Sequence, residues 1–461
     1  MATNKRKSAF FEALNTVVSV APIAFFRIAF GTMMALSIIR FWANGWIEQL
    51  YIKPSFFFTY YGFEWVKPFS ANGMYVVFAL LFLSAVFIAL GFVYRISSVV
   101  FFFLFTYVEL IDKSTYLNHY YFISIVALLF CFIPAHKAFS LDAKLGVTQS
   151  ANSFPRWMLL SIQLQMAMVY FFAGIAKINH DWLMEALPLR IWLPAKNDMP
   201  IVGALLNETW LAYLMSWCGM IFDVTISFFL FWRRTVYYAY AVVVVFHVLT
   251  AILFPGIGMF PFIMIVCATV FLPSDFHSRA ISFLSKTFGI ETKAQETAQS
   301  LVLSSPFVAT VFVLHFCVQL LLPFRYILYP EKLFWHEEGY RFSWRVMLME
   351  KAGMATFHVK DNNNQVVEIR NSDYLTPQQE KQMSTQPDMI LQFAKHLAWV
   401  HRQQGWQNPE VYVESYVSLN GKGSRQFIRN DINLAAQNDG FAHKAWILPY
   451  DVTKEKLIEQ R

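Results

Sequence analysis

Three side chains able to move protons lie in the most apolar parts of the chain. Lys177 ends "VYFFAGIAK" and is followed by the polar Asn179, His180 and Asp181. His119 follows Asn118 at the head of another apolar run, and His247 lies inside "VVVVFHVLTAILF". A deprotonated lysine is a strong base, and histidine exchanges protons near neutral pH. Two histidines at the level of one lysine, in apolar surroundings, form a set suited to acid–base work. Each also has a plain structural reading. A lysine beside a membrane span reaches for the interface, and position alone favours that role for Lys177. A lone histidine on an apolar face is usually a satisfied core residue.

Other polar groups sit in the same runs. Arg27 interrupts "APIAFFRIAFG", and Gln163 and Gln165 interrupt "WMLLSIQLQMAMVYFF". Ionisable groups inside a span are costly and face the protein interior or a cavity. Arg27 reads equally as a ligand contact or as a structural arginine paired with carbonyls or a carboxylate. Asp112 and Lys113 share a turn and read as an ion pair closing a helix end. Two motifs fall short. "HEEGY" (His336 to Tyr340) lacks the second histidine of HExxH. "GIGMFP", with Gly256, Gly258 and Met259, has two of the three glycines of a dinucleotide fingerprint and follows a span rather than a strand. It reads instead as close helix packing or a backbone turn beside a ligand. Cys131, Cys218, Cys267 and Cys317 form no CxxC pair, which argues for buried thiols over a zinc site or disulfides.

The elements that must position these groups are membrane helices. Of the 461 residues 57% are hydrophobic and 15% charged, against about a quarter charged in soluble domains. The chain reads as mostly α, a polytopic transmembrane helical bundle with the lipid bilayer as its partner. Spans need about 20 apolar residues, and nine runs qualify: roughly 16–38, 72–93, 97–111, 119–134, 157–176, 209–232, 236–254, 257–272 and 303–323. The third, fourth and eighth are short, which implies tilt, a thinned bilayer or partial re-entry. "NKRKSAFFEALN" leads into a full-length span, so no cleavable signal peptide is expected. The net charge of +7 is a topology signal rather than a nucleic-acid signature. Lys5, Arg6, Lys7, Arg95, Lys137, Lys144, Arg156, Arg233, Arg234, Arg279, Lys286 and Lys293 all fall on one side of nine spans, which the positive-inside rule makes cytoplasmic. Lys177, His119 and everything after Pro323 then lie outside. Beyond Pro323 the composition becomes that of a soluble domain. "ATFHVKDNNNQVVEIR" reads as a hairpin, "PDMILQFAKHLAWVHRQQG" as a helix and "EVYVESYVSL" as a strand before an "NGKG" turn. The expected domains are 1–323, transmembrane, and 324–461, a small extracytoplasmic α+β domain.

The chain resembles the vitamin K-dependent γ-glutamyl carboxylases and their bacterial membrane relatives. "FRIAFG", "GFVYRISSVVFF", "IDKSTYLNHYYF", "AHKAFSLDAKLG", "VYFFAGIAKINHDW", "GIGMF" and "GYRFSWRVMLMEK" run in the family's order across about residues 20–350, and "VYVESYVSLN" with "RQFIRND" is similar to its lumenal part. The resemblance implies that Lys177 is the base that ionises vitamin K hydroquinone, and that His119, beside Asn118, assists at the carbanion and carboxylation step. It sets His247 near the quinone. With the polar groups in the spans added, Asn118, His247, Gly256, Gly258, Met259, Arg27 and Gln165 are the substrate- and quinol-binding candidates. The implied cofactor is vitamin K hydroquinone or menaquinol, with O2 and CO2 as co-substrates and no metal. The implied partner is a glutamate-containing protein or peptide, and the implied location a bacterial inner membrane or the ER membrane. Ala176 stands where vertebrate members have a second lysine. An apolar span end disfavours the ammonium form of Lys177, and a cationic neighbour, Arg27 or Lys113, would disfavour it further. An outward pocket capped by a folded domain would exclude water from a carbanion. Two alternatives stand beside this one: a quinol epoxidase that carboxylates no glutamate, and a non-catalytic quinone-binding or transport protein. Transport would favour inverted repeats, and no repeat is visible in the sequence.

Overall fold

The computed structural model describes residues 12–288, 306–363 and 365–450. Lys5, Arg6, Lys7 and Lys293 of the charge argument lie outside the described residues. Among those described, seven helices are long and apolar enough to cross a membrane: α1 (Ala21–Ala43), α2 (Ala71–Leu90), α3 (Tyr94–Ile111), α5 (Arg156–Ala176), α6 (Thr209–Phe231), α7 (Val236–Leu253) and the span Phe307–Leu328, whose α-helical part is α10 (Pro306–Leu321). The protein is a multi-pass membrane protein.

Two of the nine expected runs, both short in the sequence, form less than a full straight span. The helix α4 (Asn118–Phe132) has only 15 residues, about 22 Å at 1.5 Å per residue. Pro134 follows it, and the residue before a proline is pushed out of helical geometry; Ile133 is accordingly extended. The eighth run forms α8 (Phe260–Ala268) plus one 3-10 turn to Phe271. Leu272 is then extended before Pro273, and the chain turns by 112° into α9 (Ser274–Phe288). Counting that bent pair as one span gives eight. The first span also starts later than expected. Residues Val17–Ser19 (β1) pair with Ser153–Pro155 (β2), and Pro22 sits in the first turn of α1, where its missing N–H is not needed.

The C-terminal portion is α+β, with a four-stranded antiparallel sheet in the order β4-β3-β5-β6. The hairpin forms from β3 (Lys351–Lys360) and β4 (Val366–Ile369), and β5 (Glu410–Leu419) pairs with the full length of β3. The short β6 (Arg425–Gln426) closes the edge. The expected helix is α11 (Pro387–Gln403), and Met389, Ile390, Phe393, Ala394 and Leu397 on it are fully buried with Phe357, Val359, Val411 and Val413 of the sheet. This core continues into the loop after α5 through Trp182, Leu183, Leu189 and Leu193.

Four loops meet the C-terminal portion on one side of the bundle. Gln379 Nε2 donates to the carbonyl of Phe56 (2.8 Å) and to Asp112 Oδ2 (2.7 Å). Asn420 Nδ2 donates to Asp181 Oδ2 at 2.9 Å, and Lys332 and Lys422 flank the same carboxylate. Gly256 and Ile257 line a cleft together with Glu337 and Lys351. The expected Asp112–Lys113 pair does not form: Asp112 caps its own turn at Ser114 N, and Lys113 pairs with Asp388 at 2.7 Å.

Candidate active site

Gly174 lets α5 and α6 approach closely; a Cβ there would lie 2.6 Å from the backbone nitrogen of Val224. One turn later this proximity brings Lys177, the C-cap of α5, onto Asp223 of α6. Lys177 Nζ lies 2.7 Å from Asp223 Oδ2 and donates also to the Ala173 carbonyl at 3.3 Å. Both side chains are buried, and the Trp182 ring centre lies 5.3 Å from Nζ. The cationic neighbour expected for Lys177 is therefore replaced by a carboxylate. Arg27 is held at the other end of the bundle, donating to the carbonyls of Ile88, Ala89 and Phe139, which is its structural reading. Lys113 is engaged by Asp388. Asp223 is the nearest acceptor for a Lys177 proton.

Lys177 and Asp223 face an apolar pocket walled by Val169, Tyr170, Trp192, Phe246, Phe254 and Phe260. His247 lines the same pocket. Its Nε2 lies 3.0 Å from the Tyr170 hydroxyl, and its Nδ1 is buried without a hydrogen-bond partner. Buried polar atoms in this state are rare and call for an explanation.

A polar cleft adjoins this pocket and shares Trp192, Phe260, Val346 and Met347 with it. Asn118, His119 and Gly256 line the cleft. Phe260 stands between the two histidines, its ring centre 6.0 Å from that of His119 and 5.7 Å from that of His247. The cleft is basic: Lys113, Arg341, Arg345, Lys351 and Lys381 outnumber Glu337 and Glu350. Burial opposes ionisation of Asp388, but Arg341 and Lys113 hold its carboxyl well below the usual carboxylate range. Burial draws the Lys113 and Lys351 ammonium groups below the ordinary lysine value, against the pull of Asp388 and Glu337.

Val346 and Met347 of the shared wall belong to an irregular strap, residues 337–347. Glu337, Phe342, Trp344 and Met347 all have positive φ, between 52° and 60°, a costly conformation for side-chain-bearing residues that concentrates at functional sites. The strap is pinned from the bundle. Asn118 Nδ2 donates to the Arg345 carbonyl (2.8 Å), the Phe342 amide donates to the Tyr116 hydroxyl (2.8 Å), and Trp344 stacks on Tyr121. Arg345, largely buried, lies over the Tyr326 ring with its Nε unpaired.

The remaining candidates lie outside both cavities. Gly258, at φ 68°, makes the turn that starts α8 and so delivers Phe260, and Met259 packs against the bundle core. Gln165 belongs to a buried polar chain. Its Oε1 lies 2.9 Å from His315 Nε2, and its Nε2 donates to Gln319, which in turn donates to the Tyr121 hydroxyl. Sequence reasoning missed Asp223, Tyr170 and Arg345. Asp223, a lone carboxylate in "GMIFDVTIS", could have been found by the same rule that drew attention to Arg27.

Residues 15–276, more than half of the chain, match the HTTM domain model. Residues 304–453 match the model of the vitamin K-dependent gamma-carboxylase, lumenal domain. No solved structure matches the chain.

Proposed function

The chain belongs to the vitamin K-dependent γ-carboxylase family, and from that premise we propose that it couples quinol epoxidation by O2 to carboxylation of glutamate in a protein or peptide. The observation that carries this reading is the pair of cavities with a common wall: one apolar, holding Lys177, Asp223 and His247, and one basic, holding His119. The apolar pocket suits an aromatic hydroquinone by its own features. Its aromatic walls take the ring, and the Lys177–Asp223 pair and the partnerless His247 Nδ1 are available to hydroxyl groups. When bound, the hydroquinone supplies, through its oxidation by O2, the strong base that removes a glutamyl γ-proton.

The residues have distinct tasks. Lys177, having passed its proton to Asp223 Oδ2, accepts a hydroxyl proton at Nζ. His247, oriented by Tyr170 through Nε2, positions the ring through Nδ1. In the cleft, Arg345 and its cationic neighbours hold the glutamyl carboxylate, and paired charges of this kind are strong when partly desolvated. His119 assists at the carbanion that captures CO2. The strap and Phe260 keep water from that carbanion, which would otherwise be quenched. By the lysine and arginine distribution, the cleft faces the extracytoplasmic side.

The test is one incubation of purified protein with vitamin K hydroquinone, bicarbonate and a glutamate-rich peptide. The proposal expects epoxide and a peptide mass gain of one CO2 together. Epoxide without carboxylated peptide would replace it with the epoxidase reading, and neither product would overturn both.

A further inference from the structure

His336, Glu338 and His443 come together where the segment after the last span meets the far end of the described chain. Their potential ligand atoms all lie within 4.8 Å of one another. Glu338 Oε2 is 3.8 Å from His336 Nδ1 and 2.8 Å from His443 Nδ1, and Glu338 Oε1 accepts from the Lys444 amide at 2.8 Å. A hydrogen-bonded latch between Glu338 and His443 accounts for part of this. It leaves His336 unexplained. That ring is 3% exposed, and neither of its nitrogens makes a hydrogen bond. The Leu448 carbonyl, which lies beside the ring, accepts from Trp335 Nε1 at 2.7 Å. An imidazole buried with both nitrogens unpaired carries the full cost of its lost hydration, unless something outside the chain satisfies it.

We propose that His336, Glu338 and His443 bind a divalent zinc ion through two imidazoles and one carboxylate, with water in the fourth position. Imidazole and carboxylate are ordinary zinc ligands, held about 2.0–2.2 Å from the metal. Ligand atoms around such an ion sit about 3.3 Å apart, so small side-chain rotations close the set. The "HEEGY" segment lacks its second histidine in sequence, and the fold supplies one 105 residues beyond Glu338. The proposal departs from the expectation, carried by the resemblance, that the chain holds no metal. It is separate from the pocket of Lys177, and its role follows from its place. Glu337, between two of the ligands, lines the basic cleft and pairs with Lys351 at 2.7 Å. Zinc there clamps the segment around His443 onto the floor of that cleft. The proposal does not depend on the carboxylase reading.

The experiment is metal analysis of the full-length protein, purified in detergent without a polyhistidine tag, equilibrated with excess zinc and desalted. The expected result is close to one zinc per chain, lost by at least tenfold in His443→Ala and in Glu338→Gln. The control His180→Ala, at a more exposed His/Asp/Glu group, should keep the metal. Zinc should also raise the thermal midpoint of the wild type and leave that of His443→Ala unmoved, as expected for a ligand bound by the folded state alone. His443 is partly exposed, so its replacement leaves a folded protein to analyse. Folded wild type that retains no zinc, or variants that retain as much as the wild type, would overturn the proposal.

Discussion

Asp223→Asn is the perturbation that best separates a catalytic Lys177 from an anchoring one. In the wild type, Lys177 Nζ has Asp223 Oδ2 at 2.7 Å and the Ala173 carbonyl at 3.3 Å. Removing one partner from a buried ion pair costs about 3–5 kcal/mol, whereas replacing both by well-packed apolar groups is often neutral. Asp223→Leu should therefore lose about that much stability, and Lys177→Met/Asp223→Leu should recover most of it. Asparagine keeps an oxygen for Nζ and should cost less, about 1–3 kcal/mol, but it cannot receive the lysine proton. If the proton passes between them, epoxide formation should fall by about 10²–10⁴-fold, the usual effect of losing one acid–base group. Unfolding in detergent micelles gives the stability series, and chromatography of the epoxide gives the rate per folded molecule. Wild-type epoxidation by folded Asp223→Asn would refute the proton-transfer reasoning. Equal destabilisation of the single and double leucine variants would refute the paired charge.

Lys177→Arg should fold and form no epoxide, since arginine is not deprotonated in proteins; an active arginine variant would make Lys177 an anchor. Arg345→Gln should raise KM for a glutamyl peptide about tenfold or more, the loss of one charge-assisted contact, with hydroquinone oxidation nearly unchanged; an unaltered KM would exclude Arg345 from substrate binding. A cysteine introduced at Asn363, in the exposed β3–β4 turn, should react with impermeant thiol reagents in intact cells. Labelling only after permeabilisation would reverse the orientation inferred from the charges.

The apolar runs located the helices because each long span must satisfy its own backbone hydrogen bonds, and a run of that length leaves few other readings. The fourth and eighth runs ended at Pro134 and just before Pro273, close to where the helices stop. The first run failed at its start, where the β1–β2 pair takes residues assigned to the span. The strands and helix of the C-terminal portion were legible from alternation and from Pro387 at a helix start. The site was half legible. Lys177, His119 and His247 stood out as polar groups in apolar surroundings, but their partners lie far along the chain. Asp223 is 46 residues from Lys177, and the Arg345 carbonyl 227 from Asn118. No local spacing encodes such pairs. Arg27 shows the converse. It is conspicuous in sequence, and its guanidinium serves to tie three carbonyls at the opposite end of the bundle.

The central claim is that proton removal from the quinol and carboxylation of glutamate occupy adjoining cavities with Phe260 between them. The direct measurement is the ratio of epoxide to carboxylated peptide made by His119→Ala in one incubation. His119 lines only the basic cleft, while Lys177 and His247 line only the apolar pocket. The variant should therefore keep much of its epoxidation per folded molecule and lose carboxylation by about 10²-fold or more. Parallel loss of both products at an unchanged ratio would contradict the division of labour between the two cavities.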